Sequence, residues 1–311
     1  MPHYQVYGYH LESDIPFPDL PTFDGADAPR WRVRQAAALP PMEAARELGR
    51  EALYDQVQAS LVQHQDGFRI TVDDTGEFDI GALGVITCAP YTTARPDFVR
   101  AHLLGRVIAT AMYHEGWLPL HGSAVLTREG VVAFLGPKGM GKSSLAAALV
   151  GAGAALVTDD TFPVEPSSPP LAWPGVHTLR VHEDVRAALA LAHVDEDTGE
   201  HKRLLAQLAP ARQVHRPQPI AALYLLCPAD DENREAAAVR TSFSPVLAAA
   251  AVTAHVKTGR MLGPGAASAM LERAARLVHL VPVHQLSVTR RLERLPEVAQ
   301  VVLDWYGGPP R

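Results

Sequence analysis

The chain has 311 residues, 47% hydrophobic and 20% charged, with a net charge of −6. That is globular composition, enough for one large domain or two modest ones, with no basic field to draw it to nucleic acid or an anionic membrane. Its two cysteines, Cys88 and Cys227, are too few for a disulfide framework and lack metal-ligand spacing, which fits a reducing cytoplasm.

The opening "MPHYQVYGYHLESDIPFPDLP" has no basic start followed by an apolar core, so no signal peptide is expected. "QVYGYHL", "RWRVRQAA", "ASLVQHQ", "FRITVDD" and "GEFDIGAL" alternate apolar and polar residues between Pro, Gly and Asp breaks. That pattern predicts a β-rich region over residues 1–95, with the proline-rich "SDIPFPDLP" as a loop or edge segment. From Pro96 the apolar spacing becomes helical and stops at Gly116. "HGSAVLT" and "GVVAFLG" then read as two strands of a hairpin around "REG". Further on, helices are expected at 183–192, 243–256, 265–277 and 294–305, and strands at 219–226 and 279–287. Loops are expected at 163–174, 194–201 and 228–235. The mixture predicts an α/β domain over 96–311. The longest apolar run, "PVLAAAAVTA" (245–254), is shorter than the ~20 residues of a membrane span.

The sharpest signal is "GPKGMGKSS": Gly136, Pro137, Lys138, Gly139, Met140, Gly141, Lys142, Ser143 and Ser144. Gly136, Gly141, Lys142 and Ser143 fill G-x-x-x-x-G-K-[ST], the Walker A phosphate loop. Glycines let main-chain N–H groups turn inward onto phosphate oxygens, and the following helix adds the positive end of its dipole. Lys142 reaches the β- and γ-phosphates, and the Ser143 hydroxyl ligates Mg²⁺. The apolar "VVAFLG" leads in and the helix-forming "SSLAAALV" leads out, the context this motif requires.

"GAGAALVTDD" completes the unit: a helix end, a short buried strand, and the carboxylates Asp159 and Asp160. If that strand runs parallel to the one entering the loop, both aspartates stand beside the γ-phosphate. One can then hold Mg²⁺ while the other accepts a hydroxyl proton. The bland alternative is a strand-ending turn.

The stretch His121–Asp160 resembles the catalytic domain of HPr kinase/phosphorylase, through "LHGSAV", "GPKGMGKS" and "LVTDD". The resemblance implies an α/β P-loop kinase core of that family's C-terminal domain type, using ATP and Mg²⁺ and assembled as a homo-oligomer. By position it implies Asp160 as acceptor of the substrate hydroxyl proton, Asp159 on the metal side with Ser143, and His121 and Lys142 as catalytic residues. The family's glutamate-and-arginine stretch after Asp-Asp has no counterpart in "LAWPGVHTLRVHEDV", and its phosphorylase segment is not recognisable. "YGYHLESDIPFPDLP" and "EHKRLL" look more like related kinases encoded beside peptide natural-product pathways. Some of these phosphorylate a serine of a ribosomal precursor peptide, as with lasso peptides.

Other residues carry weaker signals. Lys202 and Arg203 could reach a transferring phosphoryl group or form a solvated charge run. Lys138 could touch phosphate or face water, and Arg260 could contact a ligand or sit at a helix end. His177 and His182, on an expected strand "HTLRVH", fall on opposite faces and share no metal. The expected function is phosphoryl transfer from ATP to a hydroxyl, of a peptide or protein serine or of a small molecule. An acceptor-independent ATPase switch and a non-catalytic nucleotide-binding protein are the alternatives.

Overall fold

The computed structural model describes residues 1–189, 202–204, 212–228, 236–289 and 291–310. The chain forms two compact units: Met1–Trp117 with Lys257–Met270, and Leu118–Val256 with Leu271–Arg311.

The first unit carries the expected β-rich region as eight strands. These are β1 (His3–Val6), β2 (Tyr9–Ser13), β3 (Trp31–Gln35), β4 (Arg46–Tyr54), β5 (Val57–His64), β6 (Gly67–Val72), β7 (Gly76–Ile80) and β8 (Val85–Pro90). They lie in the order β1-β2-β3-β8-β7-β6-β5-β4. Period-two patterning buries Leu61, Ile70, Val72 and Phe78 on one face, with Trp31 and Val33 on β3. The helical stretch after Pro96 comprises α1 (Pro96–His102), a π-type turn (Leu103–Val107) and α2 (Ile108–His114).

That stretch belongs to this unit, rather than opening the second one at residue 96. The reason is its apolar face. Phe98 packs edge-on to Tyr54, His114 stacks on Phe68 at 3.6 Å, and the Leu104 carbonyl accepts from the Tyr7 hydroxyl at 2.8 Å.

The second unit opens with the expected hairpin, β9 (Leu118–Thr127) and β10 (Gly130–Leu135). Then follow α3 (Lys142–Gly151), β11 (Ala155–Thr158), β12 (Thr161–Glu165), β13 (Leu171–Ala172), β14 (Arg180–His182) and α4 (Glu183–Ala188). The "HTLRVH" strand is confined to its last three residues. Beyond it come β15 (Lys202–Leu204), β16 (Gln218–Pro228), β17 (Ala238–Ser242) and α5 (Pro245–Thr253). A short α6 (Gly259–Leu262) lies in the first unit. α7 (Ala267–Leu280) begins in the first unit and ends in the second, where β18 (Val283–Val288) and α8 (Leu295–Asp304) complete the chain. The strand expected from 279 starts four residues later because α7 continues to Leu280. Pro282, which cannot continue a helix, separates the two. The expected loops at 194–201 and 229–235, and the end of the 183–192 helix, lie outside the described residues.

Strand direction positions the site. β10 and β11 both run antiparallel to β9, which lies between them, so they run parallel to each other. β16 is parallel to β10, and β18 to β16. The C-terminal ends of β10 and β11 therefore share a sheet edge with the N-terminal half of β9. That half continues by pairing with β12, Thr161 opposite His121. The condition set for the aspartates is met: the hairpin and the strand-helix-strand unit bring residues 121–123, 136–143 and 159–160 to one edge.

α3 is apolar almost all round, and residues 145–150 are buried. They share a core with Val132 and Phe134 of β10, Leu156 of β11, and Val298, Val302 and Leu303 of α8. A helix enclosed on all sides has no polar stripe to show, as its alanine-rich sequence requires. Its N-terminus, with Lys142 and Ser143, is the end left to serve the sheet edge.

Among the described residues no helix is long and apolar enough to cross a membrane.

Candidate active site

The loop from Gly136 to Gly141 joins β10 to α3 in the strand-loop-helix arrangement that the motif requires. Gly139 and Gly141 have φ of 85° and 91°, and a Cβ added at either would meet nothing within 4 Å. Backbone conformation, not space, demands glycine there. Gly141→Ala is therefore expected to cost about 1–2 kcal/mol through left-handed strain alone. Denaturant midpoints check this, and an unchanged midpoint would show that the loop relaxes.

Pro137, Lys138 and Gly139 are exposed, whereas Met140 packs partly against the α3 core and donates its N–H to the Pro137 carbonyl at 3.3 Å. Ser144 is half-buried on the first turn of α3. Lys142 is buried, and Nζ donates to the carbonyls of Gly136 at 2.8 Å and Pro137 at 3.0 Å. The ammonium is thus held at the mouth of its own loop, beside the helix N-terminus.

The two aspartates occupy different environments. Asp159 is 8% exposed, and its Oδ1 accepts from the hydroxyls of Ser123 and Ser143, the latter at 2.9 Å. A buried carboxylate needs such donors. Asp160 has a side chain 48% exposed and a left-handed backbone, φ 77°. Aspartate tolerates that region better than most residues, and here the turn sends successive carboxylates to different partners.

His121 holds Asp160. Its Nδ1 lies 3.1 Å from the Asp160 carbonyl and 3.3 Å from Oδ1. A carbonyl and an ionised carboxylate only accept, so Nδ1 carries the hydrogen and donates. The His121 N–H is in turn held by the His255 carbonyl at 2.7 Å.

The structure thus gathers Lys142, Ser143, Asp159, Asp160 and His121, all named from the sequence, and adds two that were not. Ser123 was legible: it stands two residues after His121 on the same strand, hence on the same face. His255 had no local signal, being far along the chain at the end of α5.

The weaker candidates fall elsewhere. Arg260 is exposed on α6, in the first unit. The backbones of Lys202 and Arg203 pair with His182 and Val181, and their side chains lie outside the described residues. His177 Nε2 donates to the Val214 carbonyl at 2.7 Å. Burial pushes its pKa down to about 4, the Val214 hydrogen bond opposing and His215 adding to the fall.

That shift has a sign. Between the ordinary value of 6.5 and about 4, the unfolded chain binds a proton at this ring and the folded chain does not. Stability is therefore lost as pH falls through that window, by up to about 3 kcal/mol. His177→Gln is expected to flatten the fall of the thermal midpoint between pH 6.5 and 4, and an unchanged slope would assign it to other groups.

Asp159 and Ser143 are hard oxygen donors meeting at a helix N-terminus. That donor set fits Mg²⁺, which takes few protein ligands and completes its shell with water and phosphate oxygens. Among the described residues no group of three or more His, Cys, Asp or Glu could hold a metal by itself.

No family model matches the chain, and no curated protein matches it. Among solved structures it is similar to one titled the Hpr(Ser) kinase/phosphatase from Coxiella burnetii. Identity is 13%, covering 60% of this chain and 95% of that one, with a TM-score of 0.32. So loose an overlap transfers no residue role, and the chemistry rests on the side chains described above.

Proposed function

We propose that the protein is an ATP- and Mg²⁺-dependent kinase that passes the γ-phosphoryl group to a hydroxyl, with a serine of a peptide or protein as the acceptor class. The observation that carries this reading is the division of labour between adjacent carboxylates. Asp159 is buried against the phosphate-loop serine, while Asp160 is half-exposed and held by a histidine.

Each residue then has one task. The loop's main-chain N–H groups and Lys142 hold the triphosphate and balance its charge. Ser143 and Asp159 would hold the metal, which when bound would supply positive charge against the phosphates. Asp160 accepts the proton of the acceptor hydroxyl as the oxygen–phosphorus bond forms and the bond to the ADP oxygen breaks. His121 aims Asp160 by donating from Nδ1. The exposure of Asp160 suits a base that must meet a large, external acceptor.

The same exposure favours a second reading, an ATPase switch in which water takes the acceptor's place. Rates of ATP consumption with and without serine-containing peptides separate the two. The kinase reading expects consumption that rises with an acceptor. A steady rate indifferent to every acceptor would replace it with the switch, and tight binding without turnover would leave a nucleotide-binding protein.

A further inference from the structure

His255 follows α5 and reaches the edge that carries the site. Its N–H bonds the Val252 carbonyl at 3.0 Å, and the next residue, Val256, bridges to Leu120 of β9. Its own carbonyl accepts the His121 N–H at 2.7 Å. The ring is fixed as well: Nδ1 lies 2.8 Å from the Ala251 carbonyl. A carbonyl cannot donate, so Nδ1 carries the hydrogen, and in the neutral ring Nε2 holds the lone pair.

We propose that His255 is a positioning residue of the transfer site, its ring locking the end of α5 so that its main-chain carbonyl holds His121 in place against Asp160. The link is short: the His255 ring donates to the Ala251 carbonyl, the His121 N–H to the His255 carbonyl, and His121 Nδ1 to the Asp160 carbonyl, with the Asp160 carboxylate 3.3 Å from the same nitrogen. A half-exposed carboxylate gains from such a support, because a base misaimed by about 1 Å loses up to ~10²-fold in rate.

Burial lowers the pKa of His255, with the Ala251 bond opposing and the neighbouring Lys142 and His121 adding to the fall. The ring therefore stays neutral beside Lys142 and leaves the loop's charge to the phosphates. This inference rests on the transfer reading for its catalytic consequence, but not for its geometry.

The test compares His255→Ala with His255→Asn in the full chain. The asparagine amide nitrogen takes the place of Nδ1 and can still donate to Ala251, whereas alanine cannot. Histidine-ring nitrogen spectra read the His121 Nδ1–H directly, through its exchange with water. Wild type and His255→Asn are expected to show a slowly exchanging signal. In His255→Ala its exchange should quicken by ~10-fold or more, and kcat should fall by a similar factor. The Mg-ATP dissociation constant is expected to stay within about twofold in all three, because Lys142 and Ser143 are untouched.

Unchanged His121 exchange in His255→Ala would overturn the proposal. So would equal loss of signal and of thermal midpoint in both variants, which would leave His255 as fold support only. If the exchange pattern behaves as expected but wild type transfers no phosphate to any acceptor, the positioning stands and the kinase reading fails.

Discussion

Asp160→Asn is expected to lower phosphoryl transfer by roughly 10²–10⁴-fold, the range for loss of a positioned general base. The amide has nearly the shape of the carboxylate and can keep a hydrogen bond to His121 through its oxygen, but it cannot take a proton. Because the Asp160 side chain is 48% exposed, and an asparagine oxygen can stand where Oδ1 lies 3.3 Å from His121 Nδ1, the fold should hardly register the change. Nucleotide affinity should also persist, since the loop, Lys142, Ser143 and Asp159 are intact. A fall in kcat at constant Mg-ATP affinity is the expected signature in steady-state kinetics. Equal losses of affinity and rate would move Asp160 from the acceptor side to the nucleotide side.

Lys142→Met gives the second large effect, with a different signature. Methionine keeps the apolar stem and roughly the volume of a side chain that is 7% exposed, but it removes the ammonium that donates to Gly136 and Pro137. The loop loses the charge that would meet the phosphates. Turnover should fall by ~10²–10³-fold, the range for a preorganised donor at developing charge, and Mg-ATP binding should weaken with it. Titration calorimetry alongside turnover checks both. Retained binding with lost turnover would confine Lys142 to the transition state.

Much of this site was legible because its parts are local. The phosphate loop, the aspartate pair and the His-Gly-Ser strand lie within forty residues of sequence, and strand alternation with a parallel return fixes which edge they share. The partition between Asp159 and Asp160 was implied only by the family resemblance; its physical cause had no local signal, because it depends on the left-handed turn at Asp160 and on Ser123 reaching a buried oxygen. His255 was invisible for a different reason: α5 is an alanine-rich helix whose pattern says nothing about what its end touches. The helix expected to open the second unit belongs with the first, since period predicts that a helix forms but not which sheet its apolar face will cover. Likewise the 279–287 strand was displaced because "LVHL" suits a helix end as well as a strand, and tertiary packing decided between them.

The most direct measurement of the central claim follows γ-labelled phosphate from Mg-ATP in the presence of serine-containing peptides and candidate carrier proteins, with wild type and Asp160→Asn in parallel. The expected result is acid-stable label recovered as phosphoserine on an acceptor, abolished or nearly so in Asp160→Asn. Label released only as free phosphate, at a rate that no acceptor changes and that survives Asp160→Asn, would contradict it.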